Sequence, residues 1–146
     1  MPWGLCMADI IYKIFTAVGF AHPMHPILVH ITIGSVVAAF IFALLGLITK
    51  RNELFTSARH AILLGFISSF LTSFMGVIDW LHFRNGSMST TITLKLILSA
   101  TLAVFLLATL IVNKRVKLDS KLSVLFYAIC VINVFALGLF GGDLVY

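Results

Sequence analysis

A chain of 146 residues that is 61% hydrophobic and only 10% charged, with a mean hydropathy of +1.13, is composed for lipid rather than water. That excludes an ordinary soluble domain, and the net charge of +5 needs no nucleic acid to explain it, because the bases fall in short loops that flank apolar runs. The two cysteines, Cys6 and Cys130, lie far apart along the fold implied below, so neither a disulfide nor a thiolate metal site is expected.

Residues 1–21 hold one base, Lys13, and apolar stretches broken by Gly4, Asp9 and Gly19. This is a poor match to a cleaved signal peptide, which has a basic start and a small-residue exit. The segment reads instead as an interfacial helix over about 7–18, with Asp9 and Lys13 paired at i, i+4. Directly after it, His22-Pro23-Met24-His25-Pro26-Ile27-Leu28-Val29-His30 puts three of the chain's five histidines into nine residues at the mouth of a long apolar run. Imidazole is costly to bury in a membrane and serves there as ligand, proton carrier or cap, so this cluster is the first place to look for function.

Four segments are long and apolar enough to cross a hydrocarbon core about 30 Å thick, at about 27–48, 58–81, 90–112 and 122–140. Pro26 suits the first turn of span one, Asn52 and Ser57 precede span two, Asn85-Gly86-Ser87 breaks the chain after it, and Asp119-Ser120 can cap span four. Short connections force an up-down bundle. Ser35, Ala39, Ala43 and Gly46 on span one, and Gly65, Ser69, Thr72 and Gly76 on span two, form stripes of small residues that let helices approach closely. The expected fold is therefore all-α: an integral membrane four-helix up-down bundle spanning 22–146, preceded by a short N-terminal interfacial helix in 1–21.

Seven bases, Lys50, Arg51, Arg59, Lys114, Arg115, Lys117 and Lys121, flank the same face of that bundle, against Lys13, Arg84 and Lys95 at the other. The positive-inside bias then puts both termini outside the cytoplasm, on the periplasmic side of a bacterial inner membrane. His22, His25, His30, Asp79, Trp80, His82, Arg84 and Asp143 gather at the outer face, while His60 starts span two at the opposite one. His30, about one turn inside span one, is expected to face the bundle. His30 and His82 could ligate one haem iron from both sides, with His22, His25 and Asp79 as alternate ligands or as partners of a ligand ring. The dull readings are that His25 caps its span, that Asp79 and Trp80 anchor the interface, and that Asp143 and Arg84 form a surface ion pair. Zinc or copper could use the same donors, but the spacing matches no zinc motif. No serine or cysteine pairs with a histidine at a hydrolase spacing, and mid-membrane polarity is too sparse for a pump.

The run HPMHPILVH opening span one, GVIDW at the end of span two and GGDLVY after span four resemble a family of small bacterial four-span membrane proteins catalogued as a domain of unknown function, marked by HPxHPxLVH. The resemblance covers about 22–146 and implies that His22, His25, His30, Asp79, Gly141 and Gly142 carry the family pattern. It departs at Thr32, where the family commonly has proline, and in span three, where Thr93 and Lys95 stand in place of an expected histidine; that makes His82 the substitute candidate for a ligand. Members occur beside or fused to redox modules, which implies electron transfer in a respiratory chain. The expectation is a small subunit resembling a b-type cytochrome, with haem b as cofactor, the lipid bilayer, a redox protein or membrane complex and a quinone as candidate partners, and no nucleic acid. The alternative is a cofactor-free structural or assembly subunit of such a complex.

Overall fold

The computed structural model describes residues 3–115 and 121–142, and among them five helices and no strand. The first, α1 (Trp3–Ala17), precedes four that are long and apolar enough to cross a membrane: α2 (His25–Thr49), α3 (Asn52–Arg84), α4 (Thr90–Arg115) and α5 (Lys121–Gly142). Fifteen residues make α1 too short to span. The four-span, all-α reading of the sequence holds. Both ends of α3 run past the apolar window, giving 33 residues, because hydropathy drops at Asn52 and His82 while backbone hydrogen bonding continues into the headgroup region. The Asp119-Ser120 cap, Lys117 and Asp143 lie outside the described residues.

The spans close into a ring: α2 packs on α3 and α5, α4 packs on α3 and α5, and the backbones of the diagonal pairs do not come close. α1 packs on α3 alone among the helices. Tight ends set this order. Lys50, in the left-handed region at φ 56°, stops α2, and α3 begins two residues later. Asn85 at φ 49° and Gly86 at φ 70° stop α3, with the Gly86 N–H donating to the Trp80 carbonyl and the Trp80 indole N–H donating to Ser87 O at 2.8 Å. Ser89 then caps α4 by accepting the Ile92 N–H at 3.3 Å.

Lipid tails are as apolar as leucine, so burying leucine between helices gains little and close packing must supply the association. The most extensive contact, α2 on α3, is built from the small-residue stripes: Ala39, Ala43 and Gly46 are buried on α2, and Gly65, Ser69 and Thr72 on α3. A Cβ on Gly46 would come within 2.9 Å of the Phe55 ring, and one on Gly65 within 3.1 Å of Val36. Around this seam Val36, Phe55, Ile62, Leu106, Tyr127 and Val134 are all but inaccessible. Polar rungs cross it: the Thr32 hydroxyl donates to Ser68 Oγ and meets Thr72 Oγ1, each at 3.0 Å. Across α4 and α5, Asn133 Nδ2 donates to Thr101 Oγ1 at 3.0 Å and Asn113 Nδ2 to the Tyr127 hydroxyl at 2.6 Å.

Overpacking the seam at Gly46 is expected to cost about 1–3 kcal/mol. In reversible unfolding in mixed micelles, Gly46→Ala should lose stability by that amount. Gly138→Ala, where a Cβ meets nothing within 4 Å, should lose none.

Candidate functional site

Near the end of α3 the apolar run gives way to Asp79, a half-buried carboxylate with two demands on it. Its Oδ1 accepts the Tyr12 hydroxyl of α1, and its Oδ2 accepts the His25 backbone N–H at 2.9 Å. The second bond has a structural reason. The first N–H groups of α2 have no partner inside their own helix, Pro26 carries no N–H, and Met24 at the N-cap makes no side-chain cap. Asp79 therefore caps α2 from another helix, and its negative charge sits at the positive end of the α2 dipole. Tyr12 in turn accepts the Met24 N–H at 3.4 Å. One carboxylate ties α1, the α2 start and α3 together.

The His25 side chain does not cap its own span. It reaches across to α3, where Nδ1 lies 2.9 Å from the Thr72 carbonyl. A carbonyl can only accept, so Nδ1 carries the proton and Nε2 the lone pair in the neutral ring. The ring lies over Gly76, where a Cβ would sit 2.9 Å from Nδ1; only glycine leaves the space. One turn further, His82 Nδ1 meets Asp9 Oδ1 of α1 at 2.8 Å. The His82 ring stacks on Tyr12 at 4.2 Å and 8°, with Phe83 edge-on to both. Burial, reinforced by the Asp79 carboxylate, holds the Tyr12 phenol above its ordinary value near 10. Asp9, Tyr12, Lys13, Thr16, Ala17 and His82 line an open cleft of about 550 Å³ beside this cluster.

Several placements differ from the sequence-based expectations. Asp9 pairs with His82 rather than Lys13, because α1 lies on α3 and brings an imidazole closer than its own next turn offers. Asp79 holds a phenol and a peptide N–H rather than an imidazole. His30 is exposed; at about 100° per residue it points away from the buried line of Thr32, Val36, Ala39 and Ala43, so within one chain it does not converge on His82. His22, ahead of α2, is exposed, as is His60 in the third turn of α3. Among the described residues no three metal-binding side chains converge, so the zinc or copper reading finds no donor cluster there. Tyr12, Thr72 and Gly76 are structural partners of the site that chemistry-bearing motifs do not flag. The readable signal was Ala8, Tyr12 and Phe15 on one face of α1, and Gly76 on the small-residue stripe.

A hydrogen bond to a charged acceptor contributes about 1.5–3 kcal/mol, so Tyr12→Phe should destabilise by that order. The Tyr12→Phe/Asp79→Asn double mutant should cost clearly less than the sum of the singles. Gly76→Ala should displace the His25 ring, destabilise by about 1–3 kcal/mol and shift the His25 imidazole resonances. Because the folded state holds the Tyr12 proton more tightly than the unfolded one, its contribution to stability is complete below pH 10 and lost as pH rises beyond. In a titration of phenolate absorbance, the difference between wild type and Tyr12→Phe should rise only well above pH 10.

A family model described as "Predicted membrane protein (DUF2231)" matches residues 21–146. No curated protein and no solved structure matches the chain. The match takes in all four spans and the histidine run before the first of them, in agreement with the resemblance read from HPMHPILVH: the chain belongs to the DUF2231 family of membrane proteins.

Proposed function

We propose that this protein is a small electron-transfer subunit of a bacterial inner membrane, holding a haem at its histidine-bearing end. The observation that supports this most is the state of two imidazoles. His25 and His82 each have Nδ1 engaged, by the Thr72 carbonyl and by Asp9, and neither Nε2 has a hydrogen-bond partner among the described residues. Anchoring one ring nitrogen to a carbonyl or carboxylate fixes the tautomer and raises the basicity of the other, which is how ligating histidines are prepared. Those two residues fit an axial ligand's requirements. His30 faces outward and could meet only a group beyond this bundle.

Bound haem would supply one-electron chemistry at a potential set by its axial ligands and their surroundings. The chain's own residues would do the rest. Asp9 would hold His82 in one tautomer and balance positive charge. Tyr12 and Phe83 would fix the His82 ring plane. Asp79 would keep α1 against α3, and so keep Asp9 in reach. The cleft beside His82 would admit a redox partner or a quinone. For orientation, Lys50, Arg51, Arg59, Lys114 and Lys121 all lie at the end opposite Asp79, which supports a cytoplasmic position for that end, and with it termini on the outer side.

A second reading has its own support. Both Asp79 oxygens are engaged in holding helices together, which is what a cofactor-free structural or assembly subunit needs.

The visible spectrum of protein purified with haem supplied during expression decides between them. The redox reading expects a Soret band that His82→Ala removes or shifts and His60→Ala leaves intact. A folded, colourless protein gives the site to the structural reading. A reporter fused after Tyr146 should be active only outside the cytoplasm; activity inside would reverse the orientation.

A further inference from the structure

The outward face of α2 carries a group that lipid cannot satisfy. The register that sets His25 against Gly76 and Val36 against Gly65 puts His30 level with Leu71. From there about 12 Å of α3 remain before Asp79, and Leu71, Phe74 and Val77 along that stretch expose apolar side chains. His30 therefore lies inside the apolar band, flanked on its own face by exposed Ile27 and Ile31, and it makes no hydrogen bond among the described residues. An imidazole has one donor and one acceptor when neutral, and hydrocarbon answers neither. Unlike lysine or arginine it has no long stem with which to reach the headgroups.

Below it on the same line the face is small and then aliphatic. Gly34 stands one turn deeper, exposed, with nothing within 4 Å of where a Cβ would be. Ala38 follows at i+4, and Ile41 and Leu45 continue the exposed line. A glycine that no neighbour requires, four residues from an alanine, permits backbones of two helices to approach closely. The same geometry would let His30 reach across the contact.

The geometry points to a second copy of this chain as the occupant: α2 packs on α2 about a two-fold axis, crossing at Gly34 and Ala38, with the two His30 side chains bonded to each other at its outer edge. A two-fold contact sets each residue against its own neighbourhood, so it requires a surface complementary to itself. A neutral imidazole meets that requirement, because one copy can donate an N–H to the other's lone pair. A small, uncharged face meets it too. This inference does not depend on haem binding, and its test has a separate readout.

Single cysteines placed on the face without touching His30 or Gly34 make the test, in a Cys6→Ser/Cys130→Ser chain in vesicles under mild oxidation. Ile27→Cys and Ile41→Cys should form disulfide-linked dimers of the chain, and Phe70→Cys and Ile132→Cys, exposed on α3 and α5, should not. Adding His30→Ala to Ile27→Cys should weaken association about 3- to 15-fold, the range of polar contacts between membrane helices. His30→Gln, which keeps a donor and an acceptor, should restore much of it, and Gly34→Leu should abolish it. His30 is exposed and makes no hydrogen bond among the described residues, so His30→Ala should leave the unfolding midpoint of the monomer in detergent unchanged. Equal cross-linking at all four positions, no cross-linking at Ile27 and Ile41, or cross-links only to a protein of another mass would each overturn the assignment.

Discussion

A carboxylate at the end of a membrane helix must find its hydrogen-bond donors inside the protein or at the headgroup boundary, and Asp79 finds them on two other helices. Everything at the histidine-bearing end follows from that. The His25 N–H is available because the first turn of α2 has no acceptor within its own helix and Met24 makes no side-chain cap, and Asp79 answers it. The remaining oxygen takes the Tyr12 hydroxyl, which pins α1 to α3. With α1 in place Asp9 reaches His82, and Tyr12 covers one face of that ring. The short helix is part of the site because the carboxylate holds it there.

Packing below the site obeys the same shortage of polar partners. Thr32, Ser68 and Thr72 answer one another between α2 and α3, and the Thr72 carbonyl additionally accepts the His25 ring. Small side chains bring the two helices close enough for these short hydroxyls to meet. Gly76 is the point where both requirements coincide: it belongs to the close-packed stripe and leaves the space the imidazole fills. Helix association and placement of the ring are one geometric solution.

The spans, their order and their short connections were legible in the sequence because hydropathy and helix length are set by the bilayer and need no tertiary information. The small-residue stripes were legible for the same reason. The partners in the site were not. Asp9 and Lys13 are neighbours by helical spacing, yet Asp9 pairs with His82, 73 residues away, and nothing local encodes where α1 docks. The direction of His30 departs from the expectation that it faces the bundle. Ala39 and Ala43 on the packing stripe already place residue 30 on the opposite side of the helix, but the rule that polar groups in a span face the bundle pointed inward. The rule assumes that the bundle is the whole of the protein in the membrane.

That assumption separates the histidines into two kinds. His25 and His82 have one nitrogen engaged by the chain itself and the other without a hydrogen-bond partner among the described residues. His30 has neither nitrogen engaged and stands in the apolar band, where an unanswered polar group costs more than at the headgroups. The first kind is fixed by the packing of α1, α2 and α3, and the second lies outside that packing. Asp79 joins the start of α2 to the end of α3, and His30 stands on the outward face of that same α2 start, little more than one turn deeper than His25.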